Sequence, residues 1–404
     1  MTEPETLIKK EQAILDVQYA VGYLKKIHPT SRILLPGNVE LALEKVMGEL
    51  SVRTKVDKID LARKLESVCS QFNDAHTEVY FKFEDSRYLK YAYRHQTAND
   101  TFVSINGLSK EDIFNQNRQL FSTESDDYAI GKVGNYLTSL EGLAFLGIDS
   151  KDDFYIYKFR HTDGTAKEYI YHKSDFVTID EYCAFNKIEN LNSQKTFVHY
   201  EIDTENNVGI FTLDSCINDE TYKQTARNFF DEIKKSGIKN IVVDLRNNGG
   251  GNSTVVNEFL RYLSAEDYQE ESYDMRFGIF SIHKNGKKVK NQKYDGYNFD
   301  GNIYVLTSVH TFSSAMMFAM FIKDNKLGQI IGEASGNNPS SFGDVVSFRL
   351  PYSKLYLQVS WKKFYRIDSS KENEFIMPDF PCDSSDALTL AYKILEKNSS
   401  KNDF

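Results

Sequence analysis

Between residues 6 and 72 apolar side chains recur at three- and four-residue intervals, with Ile14, Val17, Val21 and Leu24 on one face and Leu61, Leu65, Val68 and Phe72 on another. That period predicts helices packed along one stripe. Pro29, Pro36 and Gly37 break the first connection, and Asn38 is placed to cap a middle helix ending near Leu50. A helical bundle is therefore expected over 1–76. From 77 to 198 the period shortens to two in brief runs rich in Tyr and Phe, such as 78–83 and 154–159, with a turn signature at 161–164 and a helix expected over 110–119. From 199 to 397 strand-like and helix-like runs alternate, which predicts an α/β layer fold. Strands are expected over 208–213, 241–245, 303–306, 329–332, 345–350 and 354–361, and helices over 219–235, 252–263, after Ser314, and over 385–397. An insertion of about 35 polar and aromatic residues precedes the strand at 303, longer than an ordinary connection. The tail, 398–404, is expected to fray.

Composition narrows the function. At 404 residues the chain exceeds what one core usually fills. Its net charge of −9 and pI near 5.5 come without a basic tract able to follow phosphates, which argues against nucleic acid as a partner. The one basic cluster, 283–293, reads as a solvated turn. Cys69, Cys183, Cys216 and Cys382 stand far apart with no metal-ligand spacing, so neither a zinc site nor a disulfide framework is indicated, and no metal or cofactor is expected. No apolar run reaches the roughly 18 residues of a membrane span, and the first residues lack the apolar region of a secretory signal. As it stands the chain is expected in the cytoplasm, or in the cell envelope if a signal segment has been removed.

Two stretches carry chemistry. In 303–324 an apolar run is broken by polar residues, and Ser313-Ser314 then opens a run with helical spacing at Met317, Phe318, Phe321 and Ile322. A serine at such a turn either caps the helix or serves as a nucleophile in the field of the helix N-terminus, where free N–H groups can bind an oxyanion. In 241–253, IVVDLRNNGGGNS, an apolar strand runs into three glycines. Such a loop is either a flexible strand-to-helix connection capped by Asn252, or a place where an N–H of Gly250 or Gly251 is offered to an oxyanion. A phosphate-binding loop would need Lys-Ser/Thr after the glycines, which is absent.

The series Asp244-Leu245-Arg246-Asn247-Asn248-Gly249-Gly250-Gly251, then Thr311-Phe312-Ser313-Ser314-Ala315, then Ile331-Gly332-Glu333 resembles the core of the tail-specific, or C-terminal processing, serine protease family, which includes the tricorn core protease and retinoid-binding relatives. Asn73-Asp74-Ala75-His76-Thr77 is similar to the family's Asp-x-His-Thr turn, and Val103-Ser104-Ile105-Asn106-Gly107 to the Ile-Asn-Gly turn of its PDZ-like insert. The resemblance implies an α/β core of the ClpP and crotonase type, carrying the N-terminal helical bundle and a degenerate PDZ-like insert. It implies Ser314 as nucleophile, with the N–H groups of Ala315 and of Gly250 or Gly251 as oxyanion hole.

The processing proteases use a lysine about 25 residues after the serine as base. That position is Pro339, and no lysine lies between Lys326 and Lys354. The tricorn-like branch uses a histidine from the earlier turn instead, which is His76, and an imidazole suits proton transfer near neutral pH. The bland alternative for His76 is a turn residue ahead of a strand. The third group implied is Glu372, seven residues before the Asp of Pro378-Asp379, although Phe375-Ile376 replaces the family's Gly-Val and Ala75 stands where that branch has serine. Glu374 and Asp74 are rival acids, and Glu372 as a solvated surface acid stays open. His310 reads as a loop residue and His28 as packed in the bundle, while Tyr365 and Arg366 line either a groove or a strand face.

The function expected is a serine peptidase that binds a peptide or protein in extended form near its C-terminus. The alternative is a non-catalytic peptide- or lipid-binding protein on the same fold, to which Met316-Met317 after the serine lend weight. Oligomeric state is not readable from these patterns.

Overall fold

The computed structural model describes residues 6–31, 34–188 and 196–402. The chain forms two units, one of residues 1–193, 276–280 and 344–361, the other of 194–275, 281–343 and 362–404.

In the first unit the expected helices are Lys10–Ile27, Gly37–Ser51 and Lys58–Cys69. The third begins at Lys58 because Asp57 caps it, its carboxylate accepting the N–H groups of Ile59 at 2.8 Å and Asp60 at 3.2 Å. The middle helix begins one residue before Asn38, whose side chain instead donates to Gln71 O at 2.7 Å. Two three-residue strands, Leu7–Lys9 and Lys55–Asp57, pair antiparallel inside the stretch read as helical. Runs that short carry no measurable period. The midsection holds an antiparallel sheet of Thr101–Ile105, Phe154–Arg160 and Ala166–His172. The helix expected over 110–119 is Lys110–Gln116, opened by a Ser109–Asp112 capping box and followed by a single 3-10 turn. One apolar core serves the whole unit, running from Ala13 and Leu61 through Phe145 and Tyr157 to Leu357 and Val359.

The second unit is built on a six-stranded sheet in the order Phe380–Pro381, Gln329–Gly332, Asn302–Thr307, Asn240–Asp244, Val208–Leu213, Val198–Asp203. All neighbours are parallel except the last pair. Strands of such a sheet are buried on both faces, so they read as unbroken apolar runs. Within them the period of two survives. Ile241, Val243, Ile303 and Val305 join one core, while Val242, Tyr304 and Leu306 face another with Ala387, Ala391 and Leu395 of the last helix. That helix, Ala387–Asn402, runs past the point where fraying is expected, and residues 403–404 lie outside the described residues. The helix expected over 252–263 is the shorter Thr254–Leu260. No helix among the described residues is long and apolar enough to cross a membrane. All four cysteines are free, with Cys69 and Cys216 buried.

The strand Tyr356–Tyr365 pairs through residues 356–358 with Glu78–Tyr80 in the first unit, and through 362–365 with residues 272–275 in the second.

Candidate active site

Ser314 is the first residue of the helix Ser314–Asp324, which follows the strand Asn302–Thr307 through a tight loop. Every residue from Ser314 to Ile322 is buried. An amphipathic stripe is therefore not what this helix presents, and Met316 and Met317 pack into the core beside Phe318. The cap is Ser313, at φ 54° and ψ −122°, and it makes no side-chain capping bond. These angles belong to the first central position of a type II′ turn, normally glycine, and a side chain there stores of order 1–3 kcal/mol. Ser314 is thus not the N-cap. Its hydroxyl donates instead to the carbonyl of Gly251 at 2.7 Å.

The glycine loop is shaped around this serine. At Gly250, with φ +102°, a Cβ would stand 2.7 Å from Ser313 Cβ and 3.0 Å from Ser314 N. At Gly251, with φ +133°, it would meet Cys216 O at 2.3 Å. Only glycine permits either the angles or the approach. Cys216 grips the loop with its own backbone, its N–H donating to Gly250 O at 2.9 Å and its carbonyl accepting from Asn252 N at 2.6 Å.

Three candidate oxyanion donors sit here in different states. The Gly250 N–H donates to Asn248 Oδ1 at 2.8 Å and the Ala315 N–H to Phe312 O at 3.1 Å. Gly251 is exposed, and its N–H meets no acceptor among the described residues. Asn252, the expected helix cap, accepts the Thr254 N–H at 2.9 Å, although the cap position itself is Ser253.

Sequence reasoning passed over the residues that tie these loops together. Asn248, with no exposure, donates to Leu213 O at 2.8 Å while its oxygen holds Gly250, and its carbonyl accepts the Phe312 N–H at 3.1 Å. Asn337 Oδ1 accepts the Ser313 N–H at 2.8 Å and so fixes the strained turn. Glu333 takes the N–H groups of Val309 at 3.1 Å and Ser384 at 2.9 Å. Two of these three lie inside motifs already quoted, and a buried amide beside a glycine run is the signal that points to them.

His76 lies in the first unit, in a turn organised by Asp74. The Asp74 carboxylate is buried and accepts the His76 N–H at 2.9 Å and the Thr77 hydroxyl at 2.6 Å, as an Asx turn does. Its Oδ1 is 3.6 Å from His76 Nδ1, and its Oδ2 is 3.2 Å from Nε2 of the buried His28. Burial acts to raise the Asp74 carboxyl, but the bonds with His28 and His76 hold it well below the usual range. For His76 burial acts to lower the imidazole, and the Asp74 carboxylate outweighs it, so the ring titrates above its ordinary value. Glu124 accepts the Ala75 N–H at 3.3 Å and completes the cluster.

Glu372 lies in the second unit, half-buried after the 3-10 turn Ser369–Lys371. Its loop is pinned by Arg366, which is neither groove nor strand face. The buried guanidinium pairs with Asp324 at 2.9 Å and donates to Glu374 O at 3.1 Å and Phe375 O at 3.2 Å. Glu374 and His310 are exposed. The structure thus assembles Ser314, Ala315, Gly250 and Gly251 in one unit, and His76 with Asp74 in the other.

Residues 207–382 match the model of peptidase family S41. The match covers 176 of the 404 residues, so it reports what this segment is similar to. The matched span includes the Ser314 turn and the glycine loop, and it indicates a serine-type peptidase. Mature CPAF complexed with lactacystin is similar in fold, with 13% identity, a TM-score of 0.66, and coverage of 96% of this chain and 97% of that one. The photosystem II D1 C-terminal processing protease is similar at 12% identity and a TM-score of 0.50, over 93% of each chain. No curated protein sequence matches significantly.

Proposed function

We propose that this chain cleaves peptide bonds of peptides or protein C-terminal regions, with Ser314 as nucleophile and His76 as general base. The observation that carries the reading is the placement of the Ser314 hydroxyl at a strained strand-to-helix turn, against a loop that only glycines can form. In the resting arrangement the hydroxyl proton points at the Gly251 carbonyl. Attack on a scissile carbonyl transfers that proton to His76 Nε2, which later returns it to the leaving amine. The oxyanion is received by the open Gly251 N–H, with those of Ala315 and Gly250 re-aimed from Phe312 O and Asn248 Oδ1. The resemblance gives Glu372 the role of orienting the base, while the geometry around His76 favours Asp74.

A fluorophosphonate probe tests this reading on the full chain. It is expected to label the wild type on Ser314, with labelling and cleavage of an unfolded protein substrate both lost in Ser314→Ala and reduced at least about a hundredfold in His76→Ala, the scale of general-base catalysis. Cleavage that survives Ser314→Ala would overturn it.

A further inference from the structure

Two bonds suffice for the turn at Asp74, from the His76 N–H and the Thr77 hydroxyl. A third partner reaches the same carboxylate from outside the turn. His28, with no exposed surface, places Nε2 at 3.2 Å from Asp74 Oδ2. Its other nitrogen, Nδ1, lies 3.3 Å from the Thr30 N–H and 2.8 Å from the Thr30 hydroxyl. A backbone N–H can only donate, so Nδ1 is the acceptor and the ring proton sits on Nε2, aimed at Asp74. The ring is held firmly. Phe72 lies 4.2 Å from it, centroid to centroid, and the buried Arg276 donates to His28 O and Lys25 O, each at 2.7 Å.

We propose that His28 is a positioning residue for the reaction, donating Nε2–H to Asp74 and thereby fixing the carboxylate that accepts the His76 backbone N–H and faces His76 Nδ1 at 3.6 Å, which leaves His76 Nε2 to take the serine's proton. The inference rests on the peptidase reading above and names a partner three steps from the serine, beyond His76 and Asp74. A buried carboxylate shared by two imidazoles divides its charge between them. Removing the His28 donor leaves more of that charge acting on His76, whose affinity for a proton then rises. Other charged groups facing His76 include Glu124 and Glu78, and Glu124 also faces Asp74. They stay in place in every variant below.

The test is the second-order rate of fluorophosphonate labelling of Ser314 in the full chain across the histidine range, about pH 5 to 9. His28→Phe is expected to slow labelling about tenfold, a part of the roughly 10²–10⁴ that general-base catalysis supplies, and to move the acidic midpoint to higher pH. His28→Gln, whose amide N–H replaces Nε2–H, is expected to keep the wild-type midpoint. Asp74→Asn is expected to move the midpoint down. A folded His28→Phe protein with the wild-type rate and midpoint would overturn the inference, as would a Gln variant displaced equally with Phe. Because His28→Phe removes a buried polar partner and can unfold the chain, nitrogen NMR of the wild-type histidines supplies a second measurement. A neutral His28 protonated on Nε2 at pH 7 supports the inference, and a charged ring or an Nδ1–H tautomer defeats it. Absence of Ser314-dependent labelling in the wild type would defeat the peptidase reading, and the NMR measurement then still decides the His28–Asp74 bond.

Discussion

Glu124 holds a carboxyl between the Ala75 N–H and the Asp74–His76 pair, with Oε1 buried and without a hydrogen-bond partner among the described residues. Burial first, then the Asp74 charge, pushes it up to about 7, with His76 pulling the other way. The folded-state value lies above the ordinary 4.5, so the folded chain retains a proton that the unfolded chain releases between those two values. This group's contribution to stability is complete below about 4.5 and is lost as pH rises through 7. Glu124→Gln copies the protonated form. Urea unfolding should therefore find the variant level with wild type near pH 4.5 and more stable by about 1–3 kcal/mol near pH 8. Equal stabilities at both pH values would remove Glu124 from the cluster's titration. None of this is legible in the sequence, where Glu124 is one acid among 58 Asp and Glu. Its chemistry comes from a neighbour 50 positions earlier. The Ser314 turn was legible as a strand-to-helix junction, but whether Ser314 caps the helix was not, because that turns on Ser313 taking the cap position.

The glycine loop and the serine turn act as one element although more than sixty residues separate them, as the Ser314–Gly251 bond spanning |i−j| = 63 records. Gly250→Ala must move the Ser313 side chain and the Ser314 amide as well as force a Cβ into φ +102°. A loss of about 2–4 kcal/mol is expected from strain and overpacking, together with loss of fluorophosphonate labelling. Gly249→Ala, where a Cβ would meet nothing within 4 Å, is the matched control and should cost under about 1 kcal/mol. Chemical denaturation with parallel labelling reads both. The order of strands and helices in this unit was legible because each alternates between two apolar faces or follows a turn signature. Short elements were not, since three-residue strands such as Leu7–Lys9 take their structure from a partner 48 positions away at Val56 and its neighbours. Helix ends shifted where a side chain chose its own partner, as Asn38 did with Gln71.

At the scale of the molecule, each unit encloses its own core. Calorimetry is expected to resolve two transitions, with Leu61→Ala lowering one and Phe259→Ala the other, each at a cost of about 2–5 kcal/mol for a fully buried large side chain. A single transition lowered alike by both would contradict that division. A reading that moves along the chain finds the helical start and the α/β end, but it has no means of seeing that residues 276–280 and 344–361 return to the first unit. Leu350, Leu355, Leu357 and Val359 belong to the same core as Ala13 and Leu61, and residues 356–358 supply the strand beside Glu78–Tyr80. Chains of several domains ordinarily fold from the N-terminus as they are synthesised. Here the first unit cannot close when its first 193 residues have left the ribosome, and it waits for Trp361, by which point most of the second unit has also emerged. The histidine of the proposed dyad is therefore set in a finished core only after Ser314 has been made, so that the nascent chain carries the serine before it carries a seated base.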